Sequence, residues 1–390
     1  MRILIFNELY HPNKIGGAEI STQLLAEKLV ELGNEVHVCT SSDYNKTEIF
    51  NGVCIHYIRQ YNLYWSFTHY TIPKYKKIIW HLLDSYNILF KRRANLLIKK
   101  INPDIIHTNV IAGFSSVIWK CAKENNIPVI HTLRDYYLMC VRSTLYNKKN
   151  CTTPCVLCQT TSIPKKKLTK HVDAIIGISE FILNKHLVNG YFKNASINKV
   201  IPNAVSSTID SSYLPERKKH IGYLGRINPS KGIEYLIENF NLIDNKDYIL
   251  TIAGNGDSNY CKYLKEKYES SKVKFIGRVD SNHFLREISL LVVPSIWHEP
   301  FGRVIIEAIE NKCPVFASNK GGMPELINKN IGRIFDIDKK DSLSFLLQDF
   351  IDNKMYFNFS ANNNNSYSAI NIATEYEKIY KDIISLKRKK

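Results

Sequence analysis

The sequence contains no uninterrupted apolar stretch of about 18 residues, the length that a membrane-spanning helix requires. Its first residues, MRILIFNELYHPNKIGGAE, also lack the long apolar core and the small-residue cleavage site of a secretory signal peptide. Together these two absences predict a protein that stays in the cytoplasm.

Acidic residues are scarce in the first half of the chain. Residues 1–205 hold 26 Lys and Arg but only 13 Asp and Glu, and residues 61–100 combine eight basic residues and many aromatic ones with one acid, Asp84. This mixture is typical of a helix on an anionic surface, so we expect peripheral contact with the inner face of the plasma membrane through residues 61–100. A core helix with a solvated basic face and a surface for single-stranded nucleic acid are the alternatives.

The chain has nine cysteines, and a protein of the cytoplasm is expected to keep them reduced. Five of them, including Cys54, lie in apolar segments and are expected to be small core residues. The other four crowd into CVRSTLYNKKNCTTPCVLC: Cys140, Cys151, Cys155 and Cys158. Four thiolates with this spacing can form a closed tetrahedral site, which predicts a structural zinc; reduced thiols without a metal are the alternative.

Short apolar strands alternate with helical stretches along most of the chain, which is the pattern of a parallel sheet with helices on both faces. The pattern pauses at a Ser- and Pro-rich segment, restarts near residue 220 and ends in an amphipathic helix. At 390 residues, we therefore expect two doubly wound α/β domains. Their predicted bounds are 1–203 and 220–370, with a linker at 204–219 and a terminal helix at 371–390.

Glycines and cations follow several of the predicted strands. Gly16 and Gly17 precede the first helix and Gly254 follows a strand of the second domain, so the backbone can approach a ligand closely at these points. Arg226 comes directly after the first strand of the second domain, and Lys231 stands at the start of the next helix. Two cations on one loop suit a diphosphate. Plain tight turns are the alternative for the glycines.

The segment SIWHEPFGRVIIEAIE places a Pro-Phe-Gly break between two acids. The pattern predicts that Glu299 lies in a loop at the mouth of a helix and that Glu307 lies within the helix. The amides of Gly302, Arg303 and Val304 would then point outward at the positive end of the helix dipole, which is a site for an anion. A carboxylate beside such a site indicates a binding or catalytic role, and an ordinary capped helix is the alternative.

Taken together, these motifs resemble those of a known family. The segments that carry the resemblance are GGAE, HTLRDY, IPNAV, LGRINPSKGIEYLI, IAGNG, FIGRV, PSIWHEPFGRVIIEAI and ASNKGGMPELI. The chain is similar to family 4 glycosyltransferases of the GT-B architecture. This resemblance implies two Rossmann-like doubly wound domains that face each other across a cleft, the N-terminal one for the acceptor and the C-terminal one for the nucleotide sugar. It also implies a C-terminal helix that packs back toward the N-terminal domain.

The resemblance implies roles for individual residues. Glu299 and Glu307 match the family's E-x7-E signature, in which the first acid contacts the donor sugar near the reacting carbon and the second holds the ribose hydroxyls. Arg226 and Lys231 match the pair that neutralises the diphosphate, and His131 matches a histidine near the donor sugar. The expected catalytic residues are Glu299, His131, Arg226 and Lys231.

The same resemblance implies further donor contacts. Residues 301–304 match the helix entry whose amides cradle the diphosphate, and residues 16–17 match the loop that closes on the phosphate from the other domain. The expected donor-binding residues are Gly16, Gly17, Arg226, Lys231, Gly254, Phe301, Gly302, Arg303, Val304 and Glu307.

The implied activity is that of a retaining hexosyltransferase, which moves a sugar from a UDP- or GDP-sugar to a glycan or lipid-linked acceptor. The implied pathway is the synthesis of a bacterial surface polysaccharide: capsule, O-antigen or exopolysaccharide. Cations and helix amides would stabilise the leaving diphosphate, so catalysis is expected to require no metal and no cofactor. The D-x-D sequence from Asp336 to Asp338 lies beyond the motif loops and is expected to be a turn.

Two other functions fit parts of the sequence. A nucleotide-sugar epimerase of the same GT-B architecture would convert the free nucleotide sugar without an acceptor. A non-catalytic nucleic-acid-binding protein would account for the net charge of +17 and would bind RNA in a salt-sensitive way. Because the motifs extend over both predicted domains, we expect no nucleic-acid partner.

Overall fold

The chain folds into two compact units. The computed structural model describes residues 1–13, 16–68, 71–205, 217–244, 247–359 and 367–388. Unit 1 consists of Met1–Leu145, Thr152–Ser206 and Ser366–Lys390, and unit 2 consists of Tyr146–Cys151 and Ser207–Asn365. The predicted linker at 204–219 falls largely outside the described residues.

The strands and helices alternate as the sequence predicts. The strands are β1 Arg2–Phe6, β2 Glu35–Ser42, β3 Lys46–Phe50, β4 Val53–Arg59, β5 Ile105–Thr108, β6 Val129–Leu133, β7 Tyr146–Asn147, β8 Lys149–Asn150, β9 Ala174–Gly177, β10 Ile197–Val200, β11 Lys218–Leu224, β12 Ile249–Ala253, β13 Val273–Gly277, β14 Ile288–Val293, β15 Val315–Ser318 and β16 Gly332–Phe335. The helices are α1 Gly17–Glu31, α2 Lys74–Ser85, α3 Ile88–Ile101, α4 Val117–Glu124, α5 Val156–Leu168, α6 Glu180–Val188, α7 Ile233–Asn241, α8 Ser258–Tyr268, α9 Ser281–Glu287, α10 Arg303–Glu310, α11 Ser342–Ile351 and α12 Ala369–Arg388.

Unit 1 is built on an eight-stranded sheet in the order β10-β9-β6-β5-β1-β2-β4-β3. Neighbouring strands pair in parallel, except that β3 runs antiparallel to β4 at the edge. The inner strands are short continuous apolar runs, because a parallel strand is covered by helices on both faces. The C-terminal helix α12 packs against α1 in this unit, and the hydroxyl of Tyr380 lies 2.7 Å from Nδ1 of His107.

Unit 2 contains a six-stranded parallel sheet in the order β13-β12-β11-β14-β15-β16. The strand order reverses between β11 and β14, which are neighbours in space and distant in sequence. In open α/β sheets of this kind, ligands bind outside the carboxyl ends of the strands at such a reversal point. We therefore expect a ligand-binding site at the loops that follow β11 and β14.

The short hairpin formed by β7 and β8 belongs to unit 2, although the sequence places it inside the predicted N-terminal domain. Its assignment follows from hydrogen bonds to the loop after β14, which local sequence patterns do not reveal.

Among the helices of the described ranges, none combines the length and the apolar character that crossing a bilayer requires.

Candidate active site

Two loops of unit 2 meet where its strand order reverses. The amide of Ile296, after β14, donates to the carbonyl of Ser230, after β11, over 2.8 Å. Between these loops Gly232 has a φ of +68°, and a Cβ atom there would lie 2.0 Å from the carbonyl oxygen of Pro294. The glycine is therefore required for this close approach of the two backbones.

The predicted cation Lys231 and the predicted acid Glu299 form a direct ion pair at this point. Nζ of Lys231 lies 2.6 Å from Oε1 of Glu299, and the two side chains are only 21% and 12% exposed. Burial alone would raise the pKa of Glu299, but the charge of Lys231 and the hydrogen bonds that the carboxylate accepts, including one from Ser295, outweigh burial and lower this pKa. Glu299 is therefore ionised at neutral pH and fixes the position of the Lys231 ammonium.

The predicted helix entry is present as the first turn of α10. Gly302 is the N-cap residue with a φ of +104°, and its carbonyl accepts the amide of Ile305 over 2.9 Å. Because the helix begins at Arg303, its first amides and the positive end of its dipole lie beside the loop that carries Glu299. Phe301, just before this turn, is buried.

The second predicted acid, Glu307, lies within α10 as expected. Its Oε1 atom accepts from Nε of Arg303 over 2.7 Å, and the two side chains are largely buried. This contact holds the Glu307 carboxylate against the first turn of the helix. Arg303 and Glu307, which are both predicted to bind the donor, are thus in contact with each other.

The loops after β11 and β12 are also in close contact. Arg226 follows β11 and is exposed, and the hydroxyl of Tyr223 donates to its carbonyl over 2.7 Å. Gly254 follows β12 with a φ of +137°, and a Cβ atom there would lie 1.8 Å from the carbonyl oxygen of Gly225. The structure therefore places both predicted residues at the carboxyl edge of the sheet.

The loop after β15 contacts the backbone of Glu299 through two glycines. Gly321 has a φ of +65°, and a Cβ atom there would lie 2.1 Å from the carbonyl oxygen of Glu299. The amide of Gly322 donates to the same oxygen over 2.8 Å. The backbone of Glu299 is thus held by a third loop, which explains the double glycine in NKGGMPE.

The hairpin contributes a residue that sequence reasoning missed. Nδ2 of Asn150 donates to the carbonyl of Ile296 over 2.9 Å, and its Oδ1 atom accepts the amide of His298 over 3.1 Å. Asn150 thus holds the backbone of the loop that leads to Glu299. No local signal marks this residue, because its partners are distant in sequence.

Two of the predicted donor-binding glycines lie in unit 1. Gly16 is the N-cap residue of α1, and its amide donates to the Glu19 carboxylate over 2.8 Å. Gly17 is the first residue of the helix, and residues 14–15, just before Gly16, lie outside the described residues.

The structure places His131 in the interior of unit 1. The side chain is 4% exposed, stacks on Phe192 and lies 2.9 Å from the hydroxyl of Thr108 through Nδ1. Burial lowers the pKa of His131 to about 3, so the ring is neutral. At the carboxyl end of the same strand stands Arg134, whose Nε donates to Oδ1 of Asn109 over 2.8 Å. The role predicted for His131 stays a prediction, and Arg134 directly follows the strand that carries this histidine.

Three of the four clustered cysteines lie together in unit 1. The sulfur of Cys158 contacts those of Cys140 and Cys155, and the amide of Arg142 donates to the Cys140 sulfur over 3.4 Å. Cys140 and Cys158 are buried, and Cys155 is exposed as the N-cap residue of α5. Cys151 ends the hairpin segment that belongs to unit 2.

The D-x-D sequence lies in a turn after β16, as expected. Nζ of Lys320 lies 2.6 Å from Oδ2 of Asp338, and Nδ2 of Asn319 donates to Oδ1 of Asp336 over 2.9 Å. Both acids thus have partners of their own in this turn.

Comparison with known proteins defines the class to which this fold and site belong. Residues 15–208 match the profile of Glycosyltransferase Family 4, and residues 206–367 match that of Glycosyl transferases group 1. An uncharacterized 42.6 kDa protein in the cps region of Klebsiella pneumoniae is 35% identical over 386 residues, which cover 98% of this chain and 100% of that protein. The protein is thus a GT-B glycosyltransferase with two Rossmann-like units.

Solved structures show the same fold. A sucrose-phosphate synthase from Thermosynechococcus elongatus superposes with a TM-score of 0.77 at 19% identity over 99% of both chains. Anabaena HepE, solved with UDP and glucose, superposes with a TM-score of 0.72 at 17% identity over 98% of this chain and 100% of that one. The chain belongs to the family 4 glycosyltransferases, as the motifs of its sequence predict.

Proposed function

We propose that this protein transfers a hexosyl group, with retention of configuration, from a UDP- or GDP-sugar to a glycan or lipid-linked acceptor of a bacterial surface polysaccharide. The observation that carries the proposal is the Lys231–Glu299 pair, fixed at the strand-order reversal of unit 2 beside the first turn of α10. The relative in a cps region supports a capsule-type product, and the UDP in HepE supports a nucleotide donor.

The chemistry follows from the charges of this site. Breaking the bond between sugar and phosphate leaves a diphosphate that gains negative charge. Lys231 uses one of its three N–H groups on Glu299 and can direct others to this diphosphate, together with Arg226 and the first amides of α10. Because cations of the chain itself oppose the new charge, we propose that catalysis is independent of a metal. Glu299 would orient the sugar and Glu307 would hold the ribose.

An open pocket of unit 1 supports the proposed acceptor. Its volume is about 410 Å³, and it is lined by aromatic, cationic and hydroxyl side chains, among them Trp80, Lys77, Arg142 and Ser66. Glu8 lies in the same lining, and burial, with the nearby carboxylate of Asp84, raises its pKa well above the usual value. Aromatic faces and hydroxyl partners suit a sugar, and the cations suit the phosphate of a lipid carrier.

The donor assignment can be tested by thermal shift against a panel of UDP- and GDP-sugars. A cognate donor at 100 times its Kd should raise the free energy of unfolding by about 2.7 kcal/mol. Glu307→Gln should weaken this binding by about 10- to 100-fold, because it removes hydrogen bonds to a charged group. Glu310→Gln, on the same helix, is the matched control and should bind like the wild type.

Absence of a shift with every nucleotide sugar, or equal binding by Glu307→Gln and the control, would overturn the donor assignment. The stabilising donor should also keep its sugar unchanged when no acceptor is present. Conversion of the free nucleotide sugar to its epimer would instead make the protein an epimerase.

We also propose peripheral membrane contact through α2 and α3. Exposed apolar side chains project from both helices, namely Tyr75, Ile78, Ile79, Leu82, Leu83, Ile88, Leu89 and Leu96. Exposed Lys74, Lys76, Arg92 and Arg93 accompany them. This exposure favours an interfacial helix pair over the core helix that the composition also allowed.

The proposed acceptor pocket includes Lys77 and Trp80 of α2, so a lipid-linked acceptor would enter from this side.

Flotation with anionic liposomes tests this contact. The variant K74Q/K76Q should lose roughly 30-fold in partitioning, because each lysine near an anionic surface contributes about 1 kcal/mol. The variant K262Q/K265Q removes two exposed lysines from α8 of unit 2 and should float like the wild type. Equal flotation of all three proteins would contradict the proposal.

A structural zinc at the cysteine cluster is a separate proposal. Its support is the contact of the Cys158 sulfur with those of Cys140 and Cys155, together with the backbone amide that donates to Cys140. The sequence supplies Cys151 as the fourth thiolate. Four thiolates leave no open position, so this zinc would stabilise the fold and take no part in transfer. Loss of one bound zinc per chain in the variant C140S/C158S would assign the ion to this cluster, and unchanged zinc content would contradict the proposal.

A further inference from the structure

A second group of metal-ligand atoms lies on strands β2 and β4 of unit 1, far in sequence from the cysteine cluster. Nδ1 of His37 lies 3.0 Å from Nε2 of His56, and Sγ of Cys54 lies 3.6 Å from the same Nε2 atom. Within the described ranges, these are the three His, Cys, Asp or Glu residues whose ligand atoms all lie within 4.8 Å of one another. From its apolar neighbours in sequence Cys54 is predicted to be a core residue, so only the fold reveals this group.

Strand register brings the three side chains to one face of the sheet. β2 and β4 are parallel, with His37 paired to Cys54 and Cys39 paired to His56. Side chains two residues apart in a strand point to the same face, so Cys54 and His56 project together beside His37. The face is fixed by the pairing and does not depend on a flexible loop.

The outer nitrogens of both imidazoles have partners of the kind that accompanies metal-bound histidines. Nε2 of His37 lies 2.9 Å from Oε1 of Glu35, and Nδ1 of His56 lies 3.3 Å from the hydroxyl of Thr47. An ionised carboxylate can only accept, so His37 directs its proton to Glu35 and presents the lone pair of Nδ1 to His56. Thr47 can accept the Nδ1 proton of His56 in the same way, and in that tautomer both inner nitrogens carry a lone pair that can bind one cation. In the other tautomer Thr47 donates to Nδ1 of His56, and Nε2 of His56 donates to Nδ1 of His37.

The spacing agrees with tetrahedral zinc. Zn–N bonds of about 2.0–2.1 Å and a Zn–S bond of about 2.3 Å place two ligand nitrogens about 3.3 Å apart and a nitrogen and a sulfur about 3.6 Å apart. The observed separations are 3.0 and 3.6 Å. Two imidazoles and one thiolate suit a borderline transition metal and disfavour magnesium and calcium, which select oxygen ligands.

We propose that His37, Cys54 and His56 bind a zinc ion, with a water molecule in the fourth position and Glu35 orienting His37. His56 is buried while His37 and Cys54 are partly exposed, so an ion can enter from solution. All three residues lie in the amino-terminal or middle part of their strands, away from the carboxyl ends where substrates bind in α/β sheets. The ion would join β2 to β4 near the open edge of the sheet and act on stability rather than on transfer.

Zinc binding and metal content can separate this site from the cysteine cluster. The untagged chain is titrated with Zn²⁺, and with Co²⁺ as a spectroscopic probe of thiolate ligation. The variant H37N/H56N should lose the zinc ion of the histidine site. The variant C140S/C158S should keep that ion and lose the zinc ion of the cysteine cluster. Glu35→Gln should weaken binding at the histidine site by about 10- to 100-fold, because it changes only the partner of a ligand. Cys261→Ser, a partly buried cysteine of α8 in unit 2, is the matched control and should bind like the wild type.

Cys54→Ser should abolish the thiolate-to-cobalt absorption of this site while leaving the fold intact, which keeps the test valid if the double histidine variant is unstable. A zinc content and affinity unchanged in Glu35→Gln and Cys54→Ser would overturn the proposal. Zinc that binds equally to wild type and H37N/H56N would show an adventitious ion only. None of these outcomes bears on the donor assignment, because donor-induced thermal shifts are measured independently.

Discussion

Replacing Lys231 with alanine is expected to slow sugar transfer by about 10²–10³-fold, because it removes a cation that stabilises the departing diphosphate. The change should also reduce the free energy of unfolding by about 3 kcal/mol, because it leaves the Glu299 carboxylate largely buried without its counterion. Transfer from the cognate donor and unfolding by urea measure the two effects. Lys219→Ala, which breaks an exposed pair with Asp247, is the matched control and should change stability by less than about 1 kcal/mol.

The pH dependence of this variant provides a sharper test. In the wild type the lowered pKa of Glu299 contributes stability that is present above its unfolded pKa and is lost as the pH falls through the folded pKa. Without Lys231, burial would raise this pKa instead, so the carboxyl would destabilise the fold as the pH rises. The stability deficit of Lys231→Ala should therefore be largest near about pH 7 and shrink as the pH falls below the unfolded pKa of glutamate, about 4.3, and then through the lowered folded pKa of the wild type.

The double variant Lys231→Ala/Glu299→Gln separates stability from catalysis. The neutral amide needs no counterion, so stability should largely recover while transfer should not. Recovery of transfer along with stability would show that Lys231 serves only as a partner for Glu299. A Lys231→Ala protein with normal transfer would contradict the proposed role of this cation in the reaction.

Replacing Gly321 with alanine is expected to have the second large effect. The new methyl group would lie 2.1 Å from the Glu299 carbonyl, and the φ of +65° is itself unfavourable for a side chain. The overlap costs about 1–3 kcal/mol and the backbone conformation about 1–2 kcal/mol. The loop that carries Glu299 should shift to relieve the overlap, so donor binding measured by thermal shift should weaken as well.

Gly33→Ala is the control for this substitution. Gly33 has a φ of +83° but has no atom within 4 Å of the position a Cβ would occupy. The free energy of unfolding should therefore fall only by the cost of the backbone conformation, about 1–2 kcal/mol, and this variant should bind the donor like the wild type. Equal melting temperatures of the two variants would show that contact with Glu299 does not constrain Gly321.

Much of the fold could be predicted because the relevant signals are local. The predicted strand at 104–109 is β5, Ile105–Thr108, and the predicted helix after the Pro-Phe-Gly break is α10, Arg303–Glu310. Apolar runs of strand length and helical periodicity depend on few neighbouring residues, so the sequence reports them directly. Edge strand β3 was not predicted, because it is mostly exposed and lacks the apolar run of the buried strands.

The site was predictable in part for the same reason. Lys231 and Glu299 are both recognisable from their loops, yet their ion pair arises only because β11 and β14 lie side by side in the sheet. Asn150 could not be predicted, because the sequence of the hairpin does not indicate that it contacts the loop after β14. Cys54 was interpreted as a core residue, because its histidine partners come from strand pairing.

The sequence by itself determined the local parts of this protein: which segments are strands and helices, where glycines permit tight backbone approach, and which loops carry cations and acids. Those properties depend on residues close together in the chain. Only the tertiary structure decided the strand order and register, which set Lys231 against Glu299, Asn150 against Ile296, and His37 against Cys54 and His56. These contacts join residues distant in sequence, and their geometry is fixed by the packing of whole sheets.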